Sequence, residues 1–249
     1  MNIPRIADII DNYSRNEKFE SWIEIACPVA AFFIVIAFMF PEVAAFLLNL
    51  LPLTFYPLFK IFLKLIMTQL ILFIPPFIVM MLLSRDISAF AKIKLNNFKV
   101  KYFKIAFITE ALIFFPIVAI ALIMFAFLKY FGINPSSPII EILKNSPSGS
   151  ILILFFISVI VAPIVEEYVF RMIIFSFIEK IFGVLPALIL TSFIFAVLHG
   201  GFVQLVPLFL LAVVLQLLYM RYKSLYPSIF LHMLHNLIIM ALFITIKPM

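Results

Sequence analysis

The strongest constraint on this chain is a series of continuous apolar runs, each about 20 residues long. A run of this length matches the hydrocarbon core of a bilayer, where every backbone N–H and C=O must be paired within the protein. A transmembrane barrel would show segments of about 10 residues that alternate in polarity. Glycine is scarce (5 residues) and phenylalanine abundant (32 residues). The sequence therefore predicts an all-α, polytopic transmembrane helical bundle.

Composition excludes a soluble domain and narrows the partners. The chain is 66% hydrophobic and 12% charged, whereas soluble domains are about 45–50% apolar and about 25% charged. A net charge of +6 would suggest nucleic acid in a soluble protein, but in a membrane protein Lys and Arg mark cytoplasmic loops. We therefore expect membrane lipid and no nucleic acid as a partner. The single cysteine, Cys27, excludes an internal disulfide.

The apolar runs predict about seven to eight spans, without an internal repeat. The spans that we place begin near residue 22, 59, 105, 150, 184, 202 and 227. Residues 1–21 are interpreted as a cytosolic N-terminal segment and residues 22–145 as transmembrane helices joined by a basic amphipathic loop, 84–104. Residues 146–249 form a second group of spans that contains most of the polar residues buried in apolar sequence.

The basic loop predicts the orientation. Residues 84–104 contain six of the 18 Lys and Arg residues but one acid, Asp86, which places the loop in the cytoplasm. The N-terminus is then inside and the C-terminus outside. Short loops favour a bacterial cytoplasmic membrane. Glu110 lies about one turn inside the third span and is interpreted as an interfacial carboxylate.

Polar residues within the apolar runs cluster after residue 160. The cluster includes every histidine of the chain, and its members are Glu166, Glu167, Arg171, His199, His232, His235 and Asn236. A charge at the centre of a membrane helix costs about 2.5–3.5 kcal/mol on insertion scales. An apolar residue would meet the structural need without that cost, so the cluster predicts a functional site.

Helical spacing assigns different tasks to the two adjacent glutamates. Glu167 and Arg171 are four residues apart and share a face, where the guanidinium fork suits the carboxylate. Glu166 is turned about 100° away, so it is available for acid–base chemistry, with His199 as a possible partner. His232 and Asn236 share another helix face, and both can donate hydrogen bonds to an oxyanion.

Depth in the membrane gives a conflict. With Arg171 at the cytoplasmic interface, Glu166 lies about 7.5 Å inward, and His232 is at a similar depth when counted from Pro227. His199 lies about 22 Å along the fifth span from Val184. A tilted or re-entrant segment would bring His199 level with Glu166.

Three spaced motifs occur in order in the second half of the chain. They are Glu-Glu-x-x-x-Arg at 166–171, Phe-x-x-x-His at 195–199 and His-x-x-x-Asn at 232–236. The set resembles that of the CPBP intramembrane proteases, also called Abi, which include CAAX prenyl endopeptidases and bacterial bacteriocin-processing or self-immunity proteins. The flanking residues 168–171 and 226–229 fit as well, and the resemblance covers about residues 150–240.

The resemblance implies an intramembrane endopeptidase with residues 146–249 as its catalytic core. It implies that Glu166 and His199 activate a water for attack on a peptide bond. It also implies that His232 and Asn236 stabilise the oxyanion, without a metal or other cofactor. The substrate would be a peptide or protein at the membrane: a prenylated peptide, a leader peptide or a signal peptide.

The same resemblance implies supporting roles for Glu167 and Arg171, which would hold the site together. It assigns no role to His235, which we interpret as a core or lumen histidine with its hydrogen bonds satisfied. The sequence indicates no oligomeric state.

Three alternatives remain open from the residues. Glu166, His199 and His232 are ligand types that suit zinc, which would make the protein a zinc-dependent intramembrane protease. Buried Glu and His residues also form the proton relays of transporters. A non-enzymatic immunity or scaffold protein could retain the same fold.

Overall fold

A computed structural model describes residues 5–16, 98–133, 150–199 and 201–246. The spans predicted to begin near residues 22 and 59, and most of the basic loop, lie outside these ranges. The α-helices within the ranges are α1 (Ile6–Asn16), α2 (Lys101–Tyr130), α3 (Ser150–Phe156), α4 (Ala162–Glu167), α5 (Phe175–Phe182), α6 (Val184–Leu198), α7 (Phe202–Tyr222) and α8 (Tyr226–Ile246).

The described residues contain no strand, which confirms the all-α class. Four helical segments among them are long and apolar enough to cross a membrane: Lys101–Tyr130, Ile151–Phe182, Phe202–Tyr222 and Tyr226–Thr245. The protein is therefore an integral membrane protein. The total of seven to eight spans remains a prediction.

The span Ile151–Phe182 is one helical rod with two π-helical stretches, Ile157–Val161 and Tyr168–Ile174. Pro163 accounts for the first stretch. The Ala162 N–H bonds to the Ile157 carbonyl, five residues back. The next backbone position, Pro163, has no N–H to offer. The Ser158 carbonyl is thereby left to accept a hydrogen bond from a side chain.

A tight turn at Gly183 reverses the chain after α5. Gly183 has φ 85° and ψ 173°, a conformation that is essentially restricted to glycine. Helix α6 then packs back along α5 and the second π-helical stretch. At 15 residues it is about 22 Å long. Because the hydrocarbon core is about 30 Å thick, both ends of α6 cannot reach the bilayer surfaces.

The remaining helices enclose this hairpin. Helix α7 packs against α6, α2 and α8, and α8 also contacts α2, α4 and the first π-helical stretch. Helix α1 lies against α7 and α6. The main hydrophobic core joins these elements through large buried side chains such as Phe170, Phe175, Phe195 and Tyr219. This packing brings the Glu166–Glu167 pair, the end of α6 and the first half of α8 to one place.

Candidate active site

A fully buried ion pair lies at the base of the site. The Nε of Arg171 donates to Oε2 of Glu167 at 3.0 Å, and neither side chain is exposed. The spacing of four residues had predicted this contact. The guanidinium also lies 5.3 Å from the ring centre of Phe195, within the range of a cation–π interaction. Among the described residues, neither terminal nitrogen of Arg171 has a hydrogen-bond partner.

Glu167 uses its second oxygen to orient a histidine from α8. Nδ1 of His232 donates to Oε1 of Glu167 at 3.0 Å. A histidine whose Nδ1 holds the proton of this bond turns Nε2 toward the other side. There, Nε2 of His232 lies 3.7 Å from Oε2 of Glu166. One glutamate therefore positions the histidine that faces the other glutamate.

His199 approaches Glu166 from the end of α6. Its Nδ1 donates to the carbonyl of Phe195 at 2.7 Å, and its Nε2 lies 3.4 Å from Oε2 of Glu166. The ring of Phe195 is 4.1 Å from that of His199 and 5.8 Å from that of His232. Phe195 thus packs against both imidazoles.

Exposure distinguishes the two glutamates. The side chain of Glu166 is 14% exposed and that of His199 is 30% exposed, whereas Glu167 is completely buried. Both distances from Oε2 of Glu166 to histidine nitrogens exceed the usual hydrogen-bond length of about 2.7–3.2 Å. Glu166 and His199 therefore form the accessible edge of the cluster, where a small molecule can contact both.

The structure resolves the expected conflict over the level of His199. Arg171 is fully buried within the protein, and the helical rod continues to Phe182 before the chain turns. Phe182 is 16 positions after Glu166, and His199 is 15 positions after Val184. The two arms of the hairpin are therefore nearly equal in length, so His199 lies at about the same level along the hairpin as Glu166.

Asn236 lies one turn beyond His232 on α8. Its Nδ2 donates to the Ser158 carbonyl at 2.9 Å, the carbonyl that Pro163 leaves without a backbone donor. Ser158 in turn donates through Oγ to the Leu154 carbonyl at 2.6 Å. The amide of Asn236 has a second N–H that this bond does not use.

Glu110, interpreted from the sequence as an interfacial carboxylate, is buried within the protein. The helix that contains it begins at Lys101, earlier than predicted, and Glu110 is only 2% exposed. Nδ1 of His235 donates to its Oε1 at 2.9 Å. The expectation of a satisfied histidine therefore agrees with this contact, and its partner is the residue that sequence reasoning placed at the interface. A carboxylate far inside an apolar run was the signal that could have identified it.

The same cluster contains glutamate and histidine, which are common metal ligands. Within the ranges that the structure describes, no group of three or more His, Cys, Asp or Glu residues is arranged to hold a metal ion. Oε2 of Glu166 nevertheless faces the Nε2 atoms of two histidines. The arrangement is suited to accept and return a proton, with two imidazoles nearby to stabilise charge.

Comparison with known proteins identifies the second half of the chain. Residues 148–238 match the model of a family described as type II CAAX prenyl endopeptidase Rce1-like. The matched segment, 148–238, is similar to an Rce1-like domain. The match confirms the resemblance to the CPBP, or CAAX protease, family. The Rce1-like domain includes every residue of the polar cluster that the sequence singled out. Searches of the curated proteins and of the solved structures give no match.

Proposed function

We propose that the protein is an intramembrane endopeptidase that hydrolyses a peptide bond with a water activated by Glu166 and His199. One observation carries the proposal: the partly exposed Glu166 carboxylate faces two imidazole nitrogens, each on a ring oriented by its own Nδ1 hydrogen bond. The Rce1-like domain supports a membrane protease. The catalytic roles and the substrate are our inference.

The proposed reaction begins when Glu166 takes a proton from water and the resulting hydroxide attacks the peptide carbonyl. His199 holds the water through Nε2. The oxyanion of the tetrahedral intermediate accepts hydrogen bonds from the Nε2–H of His232, which must be in its imidazolium form because Nδ1–H already bonds to Glu167, and from the unused N–H of Asn236. As the C–N bond breaks, Glu166 returns the proton to the leaving amine. The net reaction consumes one water, and Glu166 ends in the same protonation state in which it began.

The surroundings of the site favour a substrate with an apolar part. A groove of about 530 Å³ lies between α2, the first π-helical stretch and α8, next to the segment that contains His232 and Asn236. Its lining is apolar except for Lys104, and includes Phe103, Phe230 and Leu237. A prenyl chain or an apolar peptide segment suits such a groove. We therefore propose a prenylated, leader-type or signal peptide as substrate.

Cleavage in liposomes tests the proposal. The parent is compared with Glu166→Gln and His199→Ala on a farnesylated CAAX peptide, a double-glycine leader and a generic transmembrane peptide. Glu179→Gln is the matched control, because it makes the same change on the same span outside the site. We expect cleavage by the parent and the control only. Cleavage by either site variant at the parent rate would refute the roles. No cleavage by folded parent protein would favour a scaffold, an immunity protein or a transporter.

A zinc protease is the second candidate, favoured by one observation. Nδ1 of His199 and Nδ1 of His232 each donate to an oxygen, which is how metal-bound histidines are commonly oriented. Metal content of the purified protein distinguishes the candidates. One zinc per chain, lost together with activity on chelation, would replace the metal-free mechanism.

We also propose a bacterial cytoplasmic membrane as the location, with the N-terminus inside. The support is the basic loop 84–104, whose last lysines, Lys101 and Lys104, lie in the first turn of α2. Labelling of single cysteines placed in this loop, from either side of sealed vesicles, tests the orientation. Labelling of these cysteines from outside intact cells would show that the loop is external and would contradict the proposed orientation.

A further inference from the structure

A second carboxylate–imidazole pair lies beside the site and has no role in the proposed reaction. Glu110 on α2 accepts a hydrogen bond from Nδ1 of His235 on α8 at 2.9 Å. Glu110 is 2% exposed and His235 is 5% exposed. The pair is separated by 125 positions in the chain, so it joins two helices that no local spacing would bring together.

Three side chains within one and a half turns hold α8 to three different elements. His232 donates to Glu167 on α4, Asn236 donates to the Ser158 carbonyl in the first π-helical stretch, and His235 donates to Glu110 on α2. The first two of these donors also belong to the proposed site. The third donor, His235, holds the same segment of α8 to a different helix, α2.

The rest of the contact between α2 and α8 is largely apolar. Phe103 stacks on Phe230 at 4.0 Å between ring centres, and a cluster of aliphatic residues such as Ala106 and Leu231 continues the interface. In lipid, apolar contacts of this kind are weakly selective, because acyl chains offer similar contacts, whereas interhelical hydrogen bonds select one arrangement. A buried pair at this position therefore defines the rotation of α8.

We propose that Glu110 and His235 form a latch that sets the rotation and depth of α8 and thereby positions His232 and Asn236 opposite Glu166. Both are positioning residues, and their effect on cleavage rests on the proposed endopeptidase function. A slip of one residue along a helix moves each side chain by about 1.5 Å and turns it by about 100°. A misplacement of about 1 Å costs up to about 100-fold in rate.

The hydrogen bonding of the Glu110 carboxylate suggests variants that distinguish a positioning role of the latch from an effect on protein stability alone. Among the described residues, Oε2 of Glu110 has no hydrogen-bond partner, so the latch uses Oε1 alone. Glu110→Gln keeps an acceptor oxygen for His235 and should keep the latch. Glu110→Leu removes the acceptor. In the double variant Glu110→Leu/His235→Leu, no buried polar group is left unpaired, so its stability should approach that of the parent.

Steady-state kinetics on a peptide that the parent cleaves, together with thermal unfolding in detergent, test the latch. We expect Glu110→Gln to stay within about threefold of the parent rate. We expect the double variant to lose about 10- to 100-fold in kcat, with KM within about threefold, although its unfolding temperature recovers. Leu112→Ala, at a position of α2 that is 62% exposed, is the control and should match the parent. Recovery of kcat together with stability in the double variant would overturn the positioning role.

A cross-linking measurement tests the latch without reference to cleavage. Cysteines replace Phe103 and Phe230 in a Cys27→Ser background, and a short bismaleimide reports the register of α2 against α8. We expect rapid cross-linking with Glu110 or Gln at position 110 and slower cross-linking, by about fivefold or more, in the double leucine variant. Equal rates in all variants would refute the latch. If cross-linking responds but the parent cleaves no peptide, the latch stands and the endopeptidase proposal fails.

Discussion

Replacement of Arg171 by methionine should destabilise the protein strongly. Arg171 and Glu167 are both 0% exposed and share one hydrogen bond of 3.0 Å, so Arg171→Met leaves a carboxylate buried without its cation. Removing one member of a buried pair costs about 3–5 kcal/mol. The two guanidinium nitrogens without partners make this pair less favourable than a fully bonded one, so we expect the low end of that range, about 3 kcal/mol. The unpaired charge is the larger effect because Glu167 keeps only the His232 bond.

The double variant Glu167→Gln/Arg171→Met makes the reasoning refutable. It removes both charges, and glutamine can still accept the hydrogen bond from His232. We expect it to be more stable than Arg171→Met alone. Thermal unfolding in detergent measures both, and the single variant should unfold roughly 6–12 °C below the parent. Arg221→Met, at an exposed position, controls for the loss of a positive charge. An unchanged unfolding temperature for Arg171→Met, or a double variant as unstable as the single one, would show that the pair does not stabilise the fold.

Three further predictions concern Asn236, Pro163 and Gly183. Asn236→Ala should lower kcat about 100- to 1,000-fold if its free N–H serves the oxyanion, and a rate within about twofold of the parent would remove that role. Pro163→Ala restores an N–H that competes with Asn236 for the Ser158 carbonyl, so kcat should fall while the unfolding temperature stays level or rises; an unchanged kcat would argue against this competition. Gly183→Ala should cost about 1–3 kcal/mol in chemical denaturation, entirely from the positive φ, because no atom lies within 4 Å of the added carbon; full parental stability would contradict that strain.

Apolar run length and helical spacing predicted much of what the described residues show. Spans near residues 105, 150, 202 and 227 correspond to helices that can cross a membrane. The contact of Glu167 with Arg171 also followed from spacing. Each of these features depends on residues that are close in sequence, where the geometry of a single helix is sufficient.

Features that depend on how helices pack were not predictable in the same way. The partner of His235 lies 125 positions away, and nothing in the local pattern of either helix identifies it. The two π-helical stretches shift the side-chain register of Ile151–Phe182, which ideal helical spacing does not include. The rule that places cations at membrane interfaces did not predict that Arg171 is fully buried inside the protein, where it pairs with a carboxylate on its own helix face.

The hairpin around Gly183 makes the distance between Glu166 and His199 a matter of counting. The length of each arm is fixed by its number of helical residues, and the turn between the arms is the single residue Gly183. An inserted or deleted residue in either arm would displace one reacting group by about 1.5 Å and rotate it by about 100°. A compensating insertion or deletion in the other arm would bring the two side chains back to the same height along the helix axes. It would not restore the directions in which they point. The stretch between these two residues can therefore change in composition over evolutionary time far more easily than it can change in length.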